Sequence, residues 1–288
     1  VGTDNMPHQA YYMDPAPRWG GVRGDMTLVD PMKRGGAYTH VGGIYISVET
    51  GHCAVDNGVT REQQDVWGFT SQTRYAAAHK AGKFKDEMVP LQLKNEKGET
   101  VTLEIDEQHR LTTMEKLAKL PTVYNGPTVT PGNAPGLNAG ASANLLMTRE
   151  MAKEFGIKPL GRIIAQARTA GIPDRMAEEP ARAISTALKK ANLTLDDMKL
   201  IEINEAFGAV TLVSIKLLAN KDENRMKALL EKTNVNGGAI AIGHPVGATG
   251  ARLIMTTLYE LRRRGGGYGV ASLCGGLCQA AAVIVEAE

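Results

Sequence analysis

Three polar turns, two of them rich in glycine and each following an apolar run, set most of the limits on how this chain folds. They are Ile203-Asn204-Glu205-Ala206-Phe207, Gly243-His244-Pro245-Val246-Gly247-Ala248-Thr249-Gly250 and Leu273-Cys274-Gly275-Gly276-Leu277-Cys278. Apolar runs that end in polar turns read as strands of a layered α/β sheet, and in such sheets the carboxyl ends of the strands converge on one rim. Asn204 offers an amide at a strand-to-helix junction, or simply caps the helix. His244 stands exposed between glycines that permit close backbone approach, with Pro245 restricting its dihedrals. Cys274 ends an apolar strand just before Gly276, whose N–H can point into a cavity. An amide, an imidazole, a thiol and free backbone donors on one rim suit enolate formation and attack on a thioester.

The rest of the pattern agrees with a large α/β protein. The first sixty residues are rich in glycine, proline and aromatics and read as an irregular excursion with little helical periodicity. Thr60 and Gln63 form a capping box that opens a helix to about Ala81. Leu91 and Leu93 face Val101, Leu103 and Ile105 across Asn95-Glu96-Lys97-Gly98 as a hairpin. The stretch 122–138 is dense in turn formers, and a helix is expected from Ala141 to about Phe155. Beyond it come a strand over 161–168, a helix with Ala183, Ile184, Ala187, Leu188 and Ala191 on one face, a strand over 200–203 and a helix over 206–218. A helical stripe of Leu253, Ile254, Thr257, Leu258 and Leu261 then precedes strands at 268–273 and 280–285.

Composition excludes several classes. The formal net charge of +2 is small for 288 residues, and the basic run Arg262-Arg263-Arg264 sits at a helix C-terminus, so nucleic acid is not expected as a partner. No apolar run is long enough to span a membrane, and the start has no signal-like segment. The three cysteines, Cys53, Cys274 and Cys278, do not make a disulfide framework and fit a reducing, cytoplasmic setting. The Cys274/Cys278 spacing lacks the further ligands that zinc requires, so no metal is expected.

Together these motifs closely resemble the thiolase family, the acetyl-CoA acetyltransferases and 3-ketoacyl-CoA thiolases. The likeness rests on NEAF at Asn204–Phe207, on NVNGGAIAIGHPVGATGAR around His244, and on the CxG motif at Cys274–Gly276. GVTREQQD, DEQHRLTTMEKLAKL, GPTVTPGNAPGLNAGASA and the opening GTDNMPHQAYYM support it. The resemblance implies a layered α-β-α-β-α fold of two similar halves. Residues 1–131 would be an excursion covering the CoA cleft, 132–158 the end of an incomplete first half, and 159–288 a complete second half.

The resemblance also implies ping-pong chemistry. An acyl group passes from a thioester to a cysteine, followed by Claisen condensation with a second acyl-CoA, or by the reverse thiolytic cleavage of a 3-oxoacyl-CoA. His244 would activate the acylated cysteine and, with water held by Asn204, form one oxyanion site. Cys274 would move the proton at the substrate carbon, and the Gly276 N–H would stabilise the second oxyanion. Arg110 would pair with a CoA phosphate, and Met176 and Phe207 would line the pantetheine path. CoA or acyl-CoA would be substrate, with no tightly bound cofactor.

Several positions depart from the family. Tyr45-Ile46-Ser47 stands where many thiolases have His-Met-Gly, Pro135 replaces a CoA-side serine, and Leu277 and Cys278 replace glycines. Tyr45 and Pro135 therefore reshape the acyl and CoA sites. None of the three cysteines occupies the family's nucleophile position. The sequence reading thus expects that thiol from a missing N-terminal segment or a separate N-terminal polypeptide, in a dimer-based hetero-oligomer. The alternative is a non-catalytic CoA-binding or scaffold subunit of an acyl-CoA-processing complex.

Overall fold

A computed structural model describes residues 1–13, 19–20, 24–39 and 42–287. The strands are β1 (Gly2–Asn5), β2 (Tyr12–Met13), β3 (Leu28–Val29), β4 (Tyr38–Thr39), β5 (Ile44–Tyr45), β6 (Leu91–Lys94), β7 (Thr100–Leu103), β8 (Ala139–Ser142), β9 (Arg162–Ala170), β10 (Met198–Ile203), β11 (Gly267–Gly275) and β12 (Gln279–Ala287). The helices are α1 (Ile46–Asp56), α2 (Arg61–Lys80), α3 (Met114–Ala118), α4 (Arg149–Glu154), α5 (Glu179–Ala191), α6 (Gly208–Leu218), α7 (Glu223–Glu231), α8 (Ala239–Ile242) and α9 (Val246–Arg263).

The C-terminal part is built on a four-stranded sheet ordered β10-β11-β12-β9. β10 and β11 are parallel, and the other two pairs are antiparallel. Strand alternation assigns its two faces. Ile201, Ile203, Ala282 and Ile284 join Ala183, Ile184 and Ala187 of α5 and Val210 and Val213 of α6 in the main core. Leu200, Val283 and Val285 turn the other way, onto Ile254, Leu258 and Leu261 of α9. The sheet is therefore sandwiched between helices. Glu202 shares the α9 side by the same alternation, a charged residue only 2% exposed.

In the N-terminal part, β1 pairs antiparallel with β8, and both pack on the start of α9. The approach is close: a Cβ on Gly2 would lie 2.1 Å from the Gly247 carbonyl oxygen, and one on Gly140 would lie 2.8 Å from Pro245. α2 opens with the capping box in place, Thr60 Oγ1 accepting from Gln63 N and Gln63 Oε1 accepting from Thr60 N. The hairpin β6–β7 has Leu91 opposite Leu103 and Leu93 opposite Val101.

Three sequence expectations change. The excursion contains a full helix, α1, whose buried face is Ser47, Glu49, Thr50, Gly51, Cys53 and Ala54. Small and polar residues made that face invisible to hydrophobic periodicity. The helix expected over 141–155 shrinks to α4, because 139–142 is drawn into the ladder with β1 and Thr148 supplies the N-cap. Leu145 and Leu146 are left 75% and 71% exposed. Finally, His244 follows one turn of helix, α8, rather than a strand, so the rim carries two strand ends and a helix end.

Candidate active site

Asn204 immediately follows β10 and is fully buried. Its backbone N–H donates to the Ser272 carbonyl at 2.9 Å, which locks it beside β11. Cys274 lies two residues further along β11 and points to the same face as Ser272. The Asn204 amide meets His244: Nδ2 to Nε2 is 3.2 Å.

The other ring nitrogen fixes the tautomer. Thr249 Oγ1 lies 2.7 Å from His244 Nδ1 and 3.0 Å from the Pro245 carbonyl. A hydroxyl has one proton, and the carbonyl can only accept, so Thr249 donates to Pro245 and accepts from Nδ1–H. Nε2 then carries the lone pair, with Asn204 Nδ2 donating to it. Asn204 Oδ1 remains a buried acceptor with no partner among the described residues. Burial first, and the positive Arg252 second, push the imidazole down to about 4, with Asp4 opposing. The ring is neutral at pH 7.

The loop carrying His244 is held from two sides. Its backbone N–H donates to Asn138 Oδ1 at 2.8 Å, and Asn138 Nδ2 donates to Gln108 at 3.1 Å. Gly243, at φ 109°, makes room for Asn138. Upstream, the wholly buried Glu205 carboxylate accepts four hydrogen bonds. Trp67 Nε1 and Asn234 Nδ2 bind Oε1 at 3.0 and 2.9 Å, and Ser71 Oγ and Ile240 N bind Oε2 at 2.8 and 3.0 Å. This ties α2, the 234–238 turn and α8 to the residue beside Asn204. Burial raises the Glu205 pKa while the donors pull it back. Three of the four partners, Trp67 Nε1, Asn234 Nδ2 and Ile240 N, can only donate, and the geometry argues for the ionised form.

Cys274 is 8% exposed, and burial pushes its thiol up to about 12. The backbone hydrogen bond at Cys274, which would lower the value, is outweighed by desolvation. Cys278 is fully buried and also raised, to about 11, by burial and then by Glu179. Leu277 and Cys278 both sit at φ 58°, a left-handed conformation in a turn where glycine would be unstrained. Gly276 faces open space. Cys53 lies on the buried face of α1, its Sγ 3.9 Å from Glu178 Oε1, and burial first and Glu178 second raise its thiol to about 11. Among the described residues no cluster of three or more His, Cys, Asp or Glu is placed to hold a metal ion, and no helix is long and apolar enough to cross a membrane.

Met176 and Cys274 share one cluster, against which Phe207 and Ile46 pack. Tyr45 lies at the N-terminus of α1, stacked on Tyr124 at 3.7 Å between centroids and edge-on to Tyr38 at 5.5 Å. Arg110 is exposed, and its backbone N–H donates to Gln72, which in turn donates to the Ile240 carbonyl. Pro135 is half-buried in the 131–138 turn. Sequence reasoning gave no role to Thr249, Asn138, Glu205 or Arg252. Thr249 was readable in principle, five residues beyond His244 in the same glycine-rich turn, whereas the other three gain meaning only through distant contacts.

Comparison with known proteins gives a consistent result. Residues 1–150 match the profile of the thiolase N-terminal domain, and residues 157–287 match that of the thiolase C-terminal domain. An acetyl-CoA acetyltransferase of Syntrophomonas wolfei is 43% identical over 99% of this chain and 71% of its own length. The human mitochondrial 3-ketoacyl-CoA thiolase is 40% identical over 99% of this chain and 70% of its own. The crystal structure of that human enzyme in complex with CoA superposes with a TM-score of 0.90 at 37% identity, covering 100% of this chain and 70% of that one. The Bacillus anthracis acetyl-CoA acetyltransferase structure gives 0.90 at 35% identity, covering 99% and 70%. Because the N-terminal domain profile matches within this chain, the comparisons give no support to a separate polypeptide that supplies it.

Proposed function

Since the chain belongs to the thiolase family and has its fold, we propose that it takes part in thiolytic cleavage of a 3-oxoacyl-CoA, or the reverse Claisen condensation, with coenzyme A esters as substrates. The observation that carries this reading is the His244 arrangement: a neutral imidazole with its lone pair on Nε2, hydrogen-bonded to Asn204 and backed by Thr249. Such a ring accepts a thiol proton at pH 7 and returns it as the acyl group leaves. Asn204, whose buried Oδ1 has no partner among the described residues, holds water at the first oxyanion site. Cys274 rests protonated, the form needed to return a proton to the carbanion released in cleavage; in synthesis it takes that proton back. The exposed Gly276 N–H serves the second oxyanion.

The remaining assignments follow the family. Residues 1–131 cover the CoA cleft, 132–158 close the first half and 159–288 form the second. Arg110 meets a CoA phosphate, and Met176 and Phe207 line the pantetheine path. Tyr45 on Tyr124 reshapes the acyl pocket, and Pro135 alters the CoA side. The acylated thiol is none of Cys53, Cys274 and Cys278, all buried with raised pKa values.

The test is to incubate the native protein with a 3-oxoacyl-CoA and free CoA and follow acyl-CoA products by mass spectrometry, beside His244→Asn and Cys274→Ser variants. Product from the wild type and at least a hundredfold less from either variant is the expected result. CoA binding without turnover, in a preparation whose intact mass includes the acyl-accepting thiol, would instead favour a scaffold subunit.

A further inference from the structure

The helix that leads into His244 ends on a broken rung. The ladder of α8 runs as far as Gly243, whose N–H donates to the Ala239 carbonyl at 2.8 Å. The next rung of an α-helix would join the His244 N–H to the Ile240 carbonyl. Gly243, at φ 109°, instead turns the chain out of the helix, and Pro245 has no N–H for the rung beyond. Both severed partners are taken by side-chain amides from other parts of the chain. The His244 N–H donates to Asn138 Oδ1 at 2.8 Å, and the Ile240 carbonyl accepts from Gln72 Nε2 at 3.0 Å. Ile240 is pinned on its other side as well, its N–H donating to Glu205. Buried backbone groups are costly to leave unpaired, so the break persists because both amides meet it.

Chemistry fixes how each amide faces. The Arg110 N–H can only donate and the Ile240 carbonyl can only accept, so Gln72, which is 7% exposed, presents Oε1 to Arg110 N at 2.9 Å and Nε2 to Ile240. His109 Nδ1 lies 2.7 Å from the same Oε1 and therefore carries a proton. Asn138, oriented by the His244 N–H, gives its Nδ2 to Gln108 Oε1 at 3.1 Å. Both amides thus rest on three consecutive residues, Gln108, His109 and Arg110. The last of these meets a CoA phosphate in the proposed function.

We propose that Gln72 is a positioning residue for His244: with Asn138 it stands in for the broken rung, holding the imidazole clear of α8 and within reach of Asn204, and it anchors this arrangement on the segment that receives CoA. The proposal deepens the reading of His244 as the base and rests on it for its catalytic meaning. Without the Gln72 donor, the Ile240 carbonyl is free to reclaim the His244 N–H, which extends α8 by one residue and draws the ring away from Asn204. The acceptor end of the same amide serves a different purpose, the seating of Arg110. The two ends of Gln72 therefore act on different kinetic constants.

Two substitutions separate these ends. Gln72→Met removes donor and acceptor together, whereas Gln72→Glu keeps an acceptor for the Arg110 N–H and sets a second acceptor against the Ile240 carbonyl. Crystal structures of the unliganded full chain read the place of His244 without any turnover, so failure of the thiolase reading and failure of this proposal are distinguishable. In Gln72→Met the separation of His244 Nε2 from Asn204 Nδ2 should lengthen from 3.2 Å to beyond hydrogen-bonding reach, about 3.5 Å. If that variant does not fold, Gln72→Glu carries the same test, because it loses the same donor. In the active assembly both variants should lower kcat by about ten- to a hundredfold, but only Gln72→Met should also raise KM for CoA, by about fivefold. A mere loss of folded enzyme would lower kcat in both and move neither KM. An unshifted His244 in the variant crystals, a wild-type crystal in which the Ile240 carbonyl already accepts from the His244 N–H, or a Gln72→Glu kcat within about twofold of wild type would overturn the proposal.

Discussion

Replacing Glu205 by glutamine tests whether the buried carboxylate really holds the site together. Glutamine keeps the shape but turns one acceptor oxygen into a donor. On the Oε1 side it would face Trp67 Nε1 and Asn234 Nδ2, both obligate donors; on the Oε2 side it would face Ser71, whose hydroxyl can turn to accept, and Ile240 N, which cannot. The amide therefore settles with its nitrogen toward Ser71 and Ile240. One buried backbone donor is orphaned, at about 2 kcal/mol, and the two bonds kept on Oε1 lose their charge assistance, at about 1 kcal/mol each. Relief of the carboxylate's desolvation, which is what raises its pKa, returns about 1 kcal/mol. The net is a loss of about 3 kcal/mol, read as a fall in the urea midpoint of the full chain at pH 7 with unchanged slope. A change below about 1 kcal/mol, or a gain, would refute the four-donor account, since a carboxylate so placed cannot be exchanged for an amide at so little cost.

Glu202, with its pKa pushed up to about 8 by burial, holds its proton in the folded state well above the pH at which it ionises in the unfolded chain. Its contribution is therefore present at low pH and lost as pH rises toward 8, so Glu202→Gln should match wild type near pH 5 and exceed it by at least about 2 kcal/mol at pH 8.5 in denaturant titrations; parallel pH profiles would contradict this. Gly2→Ala places a methyl 2.1 Å from the Gly247 carbonyl oxygen and should cost about 2–4 kcal/mol in thermal unfolding. Gly237→Ala combines φ 84° with contacts of 2.7 Å to Ser71 O and 2.8 Å to Tyr75 Cβ, and a melting point within a degree of wild type would rule out that packing. Tyr124→Ala frees the face of Tyr45 that it covers and should change KM between short and long 3-oxoacyl-CoA substrates by several-fold while kcat on the best substrate stays within about threefold.

Local chemistry was legible from sequence where neighbours in the chain are also neighbours in space. The Thr60–Gln63 box, the pairing of Leu91 and Leu93 with Leu103 and Val101, and the stripes of α5 and α9 all depend on residues within one element or one hairpin. The Asn204–His244 contact was also foreseeable, because polar turns that end on a common rim leave few other partners for such groups. The misreadings have a common cause. α1 buries hydroxyls, a carboxylate and glycine, which carry no periodic signal, and the strand at 139–142 exists because residues 2–5 pair with it across the chain. Glu205 looks like one letter of a short motif until Trp67, Ser71 and Asn234 arrive from elsewhere, and Arg252 looks like a helix-surface charge until α9 is packed on the sheet.

The clasp between β1 and the start of α9 bears on the order in which the protein assembles. Asp4 reaches Gly247 across 243 residues, and the closing entropy of so long a loop must be met before the contact returns any stabilisation. The four-stranded sheet with α5, α6 and α9 spans a much shorter stretch of chain and has its own core. The loop bearing His244 is therefore completed late, when the opening residues dock, and a refolding chain should regain its helical signal before it regains a correctly seated imidazole.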